Sequence, residues 1–177
     1  MTRVDPVYTA PVEGGFSLYP ASQGDLDWVE ANFREGERRE ADEAGEPDSR
    51  TTPDDFEMCW TVVAENGEVV GYFGVMTCPD QSVMSPTRAF CFMSCTAADR
   101  HKFAFVRSTR PIFRWVASRC PPWVTRFVSW PIEDYPQSVR WQEKVLRMRR
   151  VSRVPMGRTH VILLEITKEE IEKWEAY

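Results

Sequence analysis

Apolar residues recur along the chain in short alternating or continuous runs, and these runs predict strands. The run at residues 58–65 is followed by Asn66-Gly67, a dipeptide that favours a tight hairpin turn, and then by a second apolar run at 68–77. The run at 88–95 is apolar at nearly every position, which is typical of a central strand covered on both faces. Further strands are predicted at 16–19, 124–130, 151–154 and 160–166.

Apolar residues at helical spacing predict helices between these strands. One helix follows Asp25, a second covers residues 99–119, a third covers 135–148, and a short acidic helix is predicted at 168–176. Pro111 lies inside the second helix, where the missing N–H group predicts a kink or a break.

The first 15 residues show neither pattern, and we expect a flexible N-terminal arm at 1–15 followed by a single domain at 16–177. The 42% hydrophobic and 12% aromatic content of the 177 residues is that of a packed globular domain. No apolar run approaches the roughly 20 residues that span a membrane. The N-terminus lacks the basic-then-apolar pattern of a signal peptide, so secretion by that route is not expected.

Five cysteines occur without a CxxC pair, which predicts reduced thiols used as small core residues and no metal site. Charge is distributed unevenly between the two halves of the chain. Residues 1–87 hold 5 basic and 18 acidic side chains, a net charge of −13, whereas residues 88–177 hold 17 basic and 9 acidic side chains, a net charge of +8. The two halves either neutralise each other within the fold, or the second half presents a basic surface to DNA, phosphate or an acidic protein.

Three residues are weak candidates for acid–base catalysis. Glu57 and Glu65 flank the strand at 58–65 and could accept a proton from an amine, although carboxylates at strand ends are usually plain surface. His101 lies at the start of the second helix, where it is either a base, a phosphate contact or a structural histidine.

A row of arginines follows along the same helix. Arg107, Arg110 and Arg114 recur at helical spacing, so they share one face if Pro111 does not break the helix. They are candidate contacts to an anion or a partner, with a solvated helix face as the alternative.

The order of these elements resembles that of the GCN5-related N-acetyltransferases (GNAT). Residues 18–25, Leu-Tyr-Pro-Ala-Ser-Gln-Gly-Asp, resemble the opening strand of that family and its turn into helix one. Asn66-Gly67 falls where the family joins its second and third strands, and residues 130–146 resemble its late strand and the helix after it. The resemblance implies an α/β (α+β) fold, with a central mixed, mostly antiparallel sheet flanked by helices. It implies acetyl-CoA as the cofactor, and the expected contacts to it are Cys95, Arg100, His101 and Lys102.

The chain departs from the family pattern at two places. The acetyl-CoA loop of the family reads Arg or Gln, two residues, Gly, any residue, and Gly or Ala. Starting at Arg100, this pattern places Phe103 and Phe105 at the small positions, where side chains are expected to obstruct a pyrophosphate. On the later helix, Gln142 takes the position of a Tyr that protonates the leaving thiolate, and Leu146 takes that of a Gly. Because Gln is no general acid, the two losses together favour a protein without catalysis and without a cofactor.

A narrower resemblance supports the same interpretation. Short-tailed bacteriophages carry degenerate acetyltransferase-like proteins, one group being the internal virion protein A-like family. They also lack the glycine loop, carry a basic helix after the central strand, and have a segment similar to residues 140–146, Arg-Trp-Gln-Glu-Lys-Val-Leu. This resemblance implies a phage accessory protein in the host cytoplasm or the virion, which contacts other virion proteins or DNA.

Three hypotheses follow. The favoured one is a non-catalytic interaction protein associated with the virion or its assembly. The alternative is an acetyl-CoA-dependent N-acyltransferase with an atypical pyrophosphate loop. A nucleic-acid-binding protein is the third, and its affinity would fall steeply with salt.

Overall fold

The computed structural model describes residues 5–33, 52–77, 88–95 and 101–174. Within these residues eight strands form one sheet in the order β1-β2-β3-β4-β5-β6-β8-β7. The strands are β1 Tyr8–Thr9, β2 Ser17–Pro20, β3 Met58–Val63, β4 Val69–Thr77, β5 Arg88–Cys95, β6 Arg126–Ser129, β7 Arg149–Met156 and β8 Thr159–Thr167. The helices are α1 Gln23–Phe33, α2 Lys102–Arg119, α3 Pro136–Lys144 and α4 Lys168–Glu172, and a 3-10 turn covers Pro53–Asp55.

Neighbouring strands in this sheet run antiparallel except for β5 and β6, which run parallel. The predicted fold class, a mixed and mostly antiparallel sheet flanked by helices, is therefore confirmed. β5 is the fifth of the eight strands, as its apolar sequence predicts for a central position. No helix in the described residues is long and apolar enough to cross a bilayer.

The β3–β4 hairpin forms where the sequence predicts it. Gly67 adopts a φ of 84°, a left-handed conformation that glycine reaches without strain. Its N–H group donates to the carbonyl of Ala64 at 2.9 Å, and the N–H of Ala64 donates to the carbonyl of Glu68 at 2.8 Å. The turn therefore fixes the register of β3 and β4, the two strands that it joins.

The sheet has two different faces, because successive side chains of a strand point to opposite sides. Phe73 and Phe127 lie in the main core, together with Phe113 of α2. Tyr72, next to Phe73 in sequence, packs instead against Leu26 and Val29 of α1. We call these the α2 face and the α1 face.

Helix α2 runs through Pro111 without a break, so of the predicted kink or break the break does not occur. Proline inside a helix costs about 3 kcal/mol or more. The cost is offset by burial on the same helix, since Ile112, Phe113 and Val116 are each at most 2% exposed.

The described part of the segment predicted as a flexible arm, residues 5–15, packs against the sheet. Tyr8 and Thr9 form β1 and pair with Leu18 and Ser17 of β2. The ring of Tyr8 stacks on that of Trp115 with centroids 5.0 Å apart. A two-residue strand is too short to leave an alternating pattern in the sequence.

Candidate functional site

A cleft opens between the two parallel strands of the sheet. β5 pairs with β6 only from Arg88 to Phe90, opposite Arg126 to Val128. Beyond this point β5 stays paired with β4 as far as Cys95. The segment that continues from β6 follows β8 instead. It remains bonded to β8 at Ser129, Pro131, Ile132 and Glu133.

The two backbones thus continue in the same direction, each held to a different neighbour. We call the space between residues 91–95 and 129–133 the β5–β6 cleft, and the last paired residues its apex. At about 3.3 Å per residue, five residues give the cleft a length of about 16 Å.

The N-terminus of α2 lies near the open end of this cleft, because His101 contacts Glu68 just before β4, and Gly71 of β4 pairs with Cys95 at the end of β5. Phe105 donates the first helical hydrogen bond, to the carbonyl of His101 at 2.8 Å. The helix itself therefore supplies no acceptor for the N–H groups of Lys102, Phe103 and Ala104. His101 occupies the N-cap position and makes no side-chain cap. Amides in this arrangement suit an anionic ligand.

The two phenylalanines predicted to obstruct a phosphate have different surroundings. Phe103 is 70% exposed, so most of its side-chain surface faces solvent. The ring of Phe105 stacks on Trp141 of α3, with centroids 4.9 Å apart and an interplanar angle of 28°.

Helix α3 presents two buried polar atoms toward the interior. Among the described residues, the Oε1 atom of Gln142 and the Nε1 atom of Trp141 are buried and have no hydrogen-bond partner. Gln142 is 8% exposed, and its Nε2 atom lies 3.5 Å from the hydroxyl of Ser138. Buried polar atoms are nearly always bonded to protein or to ordered water, so each of these two has room for a water or a polar ligand group as partner.

The turn after α3 differs by one residue from the sequence-based register. Leu146, expected at the glycine position, is buried and 3% exposed. The left-handed residue is Arg147, with a φ of 56°, and the N–H of Met148 then donates to the carbonyl of Gln142 at 3.2 Å.

The candidate bases Glu57 and Glu65 lie at opposite ends of β3. The carboxylate of Glu57 accepts a hydrogen bond from the hydroxyl of Thr77, and its backbone N–H donates to the carbonyl of Val75 at 3.0 Å. This places Glu57 near the level of the apex, two strands away from β5. Glu65 is exposed beside the hairpin turn, at the level of the open end.

His101 is buried and bound to an acidic partner. Its Nε2 atom lies 3.0 Å from Oε2 of Glu68, and its ring packs edge-on against Phe16 at 6.3 Å. The pair joins the β3–β4 hairpin to the start of α2. Of the other predicted cofactor contacts, Cys95 pairs in the sheet opposite Gly71, Lys102 begins α2, and Arg100 lies outside the described residues.

Arg107, Arg110 and Arg114 all lie on α2, but their surroundings differ. The Nε atom of Arg110 donates to the carbonyl of Val145 at 2.6 Å, and its guanidinium lies 5.6 Å from the ring centroid of Trp174. Arg114 donates to the carbonyl of Trp174 at 3.1 Å. These two hold the ends of α3 and α4 in place, whereas Arg107 is exposed. Contact with an anion or a partner remains a prediction for all three.

The cysteine thiols described here are poorly suited to nucleophilic catalysis. Burial raises the pKa of the Cys59 thiol from 9.0 to about 12 and that of Cys120 to about 11. Both are free cysteines, and neither forms its thiolate readily near neutral pH.

A buried carboxylate on β8 was not among the residues predicted from the sequence. Glu165 is 2% exposed, and its Oε1 atom accepts hydrogen bonds from Arg126 at 3.2 Å and Arg149 at 3.1 Å. The available signal was a charged residue that interrupts an apolar strand. Its two partners come from β6 and β7, and sequence spacing does not reveal them.

No family model matches the sequence, and no curated protein matches it. Solved structures do match in three dimensions. The aminoglycoside acetyltransferase AAC(6')-Ib in complex with ribostamycin and coenzyme A has a TM-score of 0.62 at 17% identity, covering 90% of this chain and 97% of that one. An acetyltransferase of the GNAT family from Bacillus anthracis has a TM-score of 0.62 at 12% identity, with coverages of 92% and 99%. Spermidine N-acetyltransferase from Vibrio cholerae, in complex with CoA and spermine, has a TM-score of 0.63 at 10% identity, with coverages of 91% and 100%.

The chain has a GNAT-like fold. At these identities the likeness shows the fold, and it confirms that part of the sequence-based resemblance.

The favoured functional hypothesis is contradicted by the same matches. The sequence predicts a non-catalytic, virion-associated protein without a cofactor. The matching structures are acetyltransferases, and those of AAC(6')-Ib and of the Vibrio cholerae enzyme hold coenzyme A. Nothing in the matches points to a phage protein or to lost catalysis. The predictions of no enzyme activity and no cofactor are therefore wrong, and the alternative hypothesis is the better supported one.

Proposed function

We propose that this chain is an acetyl-CoA-dependent N-acyltransferase with an atypical pyrophosphate loop. The observation that carries the proposal is the β5–β6 cleft, in which parallel pairing ends at Phe90 and Val128 while both backbones continue. The coenzyme A held by solved proteins of the same fold supports the choice of donor. When bound, acetyl-CoA supplies an acetyl group activated as a thioester.

The residues around the cleft fit such a cofactor. Its two edges offer backbone N–H and C=O groups that do not pair with each other and can bind an extended ligand rich in amides. On α3, Gln142 Oε1 and Trp141 Nε1 are a buried acceptor and a buried donor without a partner among the described residues, and polar groups of a ligand can satisfy such atoms. The first amides of α2 suit the pyrophosphate.

The residue that accepts a proton is assigned from its position along the sheet. The side chain of Gln142 can bind and orient a ligand, but its amide does not titrate and cannot donate a proton. Among the three candidate bases, Glu57 lies nearest the level of the apex, so we assign to its carboxylate the acceptance of a proton from the amine. β3 lies two strand spacings of about 4.8 Å from β5, so Glu57 does not reach the apex directly. Proton transfer to it requires a bridging water, or an amine substrate that extends toward β3.

Three expectations from the sequence stay predictions beside this proposal. They are the likeness to the degenerate phage proteins, a protein or DNA partner for the basic half, and the division into an arm at 1–15 and a domain at 16–177.

The proposal is tested by incubating the full-length chain with acetyl-CoA and a panel of primary amines, and by measuring acetylated products with mass spectrometry. Ser129 is the first residue beyond the parallel pairing, so Ser129→Trp is expected to fill the cleft and abolish product. Ser152→Trp is the matched control, because Ser152 is exposed on the edge strand β7. Absence of product with every amine, or equal activity in the two variants, would refute the assignment.

A further inference from the structure

The buried carboxylate of Glu165 lies next to the apex of the cleft. Glu165 pairs with Val128, which is the last residue of β6 that pairs with β5. Phe127 belongs to the main core on the α2 face, so alternation places Val128 and Glu165 on the opposite, α1 face. The carboxylate is thus one strand away from the point where the cleft begins.

Glu165 holds two guanidinium groups with one oxygen. Arg126 Nη1 and Arg149 Nη2 both donate to its Oε1, whereas the side chains of the two arginines are 43% and 60% exposed. Taken by themselves, these three side chains among the described residues carry a charge of +1. Each guanidinium has five N–H donors in a planar fork, so most of those donors remain for a ligand.

Other arginines of the same edge differ from this pair. Arg153 is paired with the half-buried Glu133 at 2.6 Å and also contacts His160 at 2.9 Å, and Arg150 is paired with Glu143. Glu170, whose pKa is lowered chiefly by hydrogen bonds to Thr167 and slightly by Arg149, caps α4.

Burial of Glu165 calls for a reason other than stability. Replacing a buried ion pair by apolar residues is often neutral or stabilising, so such a group is weak evidence of a contribution to stability. A buried anchor that fixes two exposed guanidiniums does supply a rigid, bidentate site for a carboxylate or a phosphate. Arg126 lies two residues before Val128, a distance of about 7 Å along the strand and within reach of one small molecule bound at the apex.

We propose that Arg126 and Arg149 bind an anionic group of the acceptor. The acceptor class is then a small primary amine that carries a carboxylate or a phosphate, rather than a polycation such as the spermine or ribostamycin bound by the matching structures. This inference rests on the proposed function.

The first test compares acceptors with the wild-type chain and needs no variant. With acetyl-CoA as donor, kcat/KM is measured for L-glutamate and O-phospho-L-serine against spermidine and kanamycin. We expect at least one acidic amine to exceed both polycations by about tenfold or more, the magnitude of one charge-assisted hydrogen bond. A preference for the polycations would overturn the inference and leave the proposed function standing.

The second test uses three variants. Arg126→Gln and Arg149→Gln are each expected to raise KM for the acidic amine by about tenfold, with unchanged affinity for acetyl-CoA. Arg158→Gln, in the exposed turn after β7, is the control and should change neither quantity. An unchanged KM in both arginine variants would overturn the inference.

If acetyl-CoA does not bind at all, the proposed function fails. O-phospho-L-serine is then titrated alone, and heat that is lost in Arg126→Gln supports the anion site, whereas no heat in wild type overturns it.

Discussion

Phe105 and Trp141 stack with their ring centroids 4.9 Å apart, which ties the first turn of α2 to α3 at the open end of the cleft. Phe103, two residues earlier, has a ring that is 70% exposed. Two phenylalanines that look equivalent in a loop motif therefore have different roles. One joins two helices, and the other lies on the surface.

Alanine substitutions should separate these two rings. We expect Phe105→Ala to lower the free energy of unfolding by about 2–4 kcal/mol, because it removes a stacked and partly buried ring. Phe103→Ala should change it by less than about 0.5 kcal/mol. Chemical denaturation of both variants measures the difference, and equal effects would show that the stacking is not formed in solution.

The side chain of Gln142 should lower the stability of the free protein and strengthen the binding of acetyl-CoA. Gln142→Met removes a buried carboxamide oxygen that has no partner in the described residues, so we expect a gain of about 1 kcal/mol in unfolding free energy without ligand. The same variant should bind acetyl-CoA more weakly. Gln137→Met, on the exposed side of α3, is the control and should alter neither quantity. A loss of stability in Gln142→Met would mean that the carboxamide is satisfied within the protein.

Glycine substitutions on β4 and α1 should have opposite signs. A Cβ added at Gly74 would lie 2.5 Å from the ring of Phe56, so Gly74→Ala should cost about 1–3 kcal/mol of stability. An added Cβ at Gly24 meets nothing within 4 Å, and Gly24→Ala should stabilise α1 by about 0.5–1 kcal/mol. Thermal unfolding measures both. If Phe56→Leu fails to relieve the cost of Gly74→Ala in a double-mutant cycle, the assigned clash is wrong.

Alkaline pH should destabilise the fold through its thiols. Burial raises the pKa of Cys120 from 9.0 to about 11 and that of Cys59 to about 12, so the folded state keeps protons that the unfolded state loses. Their contribution to stability is complete below pH 9 and declines as the pH rises from 9 toward these values. Unfolding measured between pH 9 and 11 should show a shallower decline in Cys120→Ala than in wild type. An identical slope would exclude the thiol as a source of the pH dependence.

Local signals account for the parts of the fold that the sequence predicted well. Asn66-Gly67 determines a turn through backbone conformation alone, and the bounds of β5 match the apolar run at 88–95. A kink or a break was expected at Pro111, and the break does not occur because the unfavourable propensity of one residue is outweighed by the burial of its neighbours.

The candidate site was predicted less well, since it depends on long-range pairing. The cleft arises because β5 follows β4 and the chain after β6 follows β8, which no short motif encodes. The hypothesis of a non-catalytic protein was drawn from Phe103, Phe105 and Gln142, read as lost motif residues. A motif records only one way to bind a pyrophosphate. In the structure Phe103 is mostly exposed and Phe105 stacks on Trp141, so the two side chains do not act alike.

The most direct test of the proposed function is a calorimetric titration of the full-length chain with acetyl-CoA. We predict saturable binding with one-to-one stoichiometry in wild type and in Ser152→Trp, and its loss in Ser129→Trp. Absence of heat at millimolar acetyl-CoA, with a folded wild-type protein, would contradict the assignment of the β5–β6 cleft as a cofactor site.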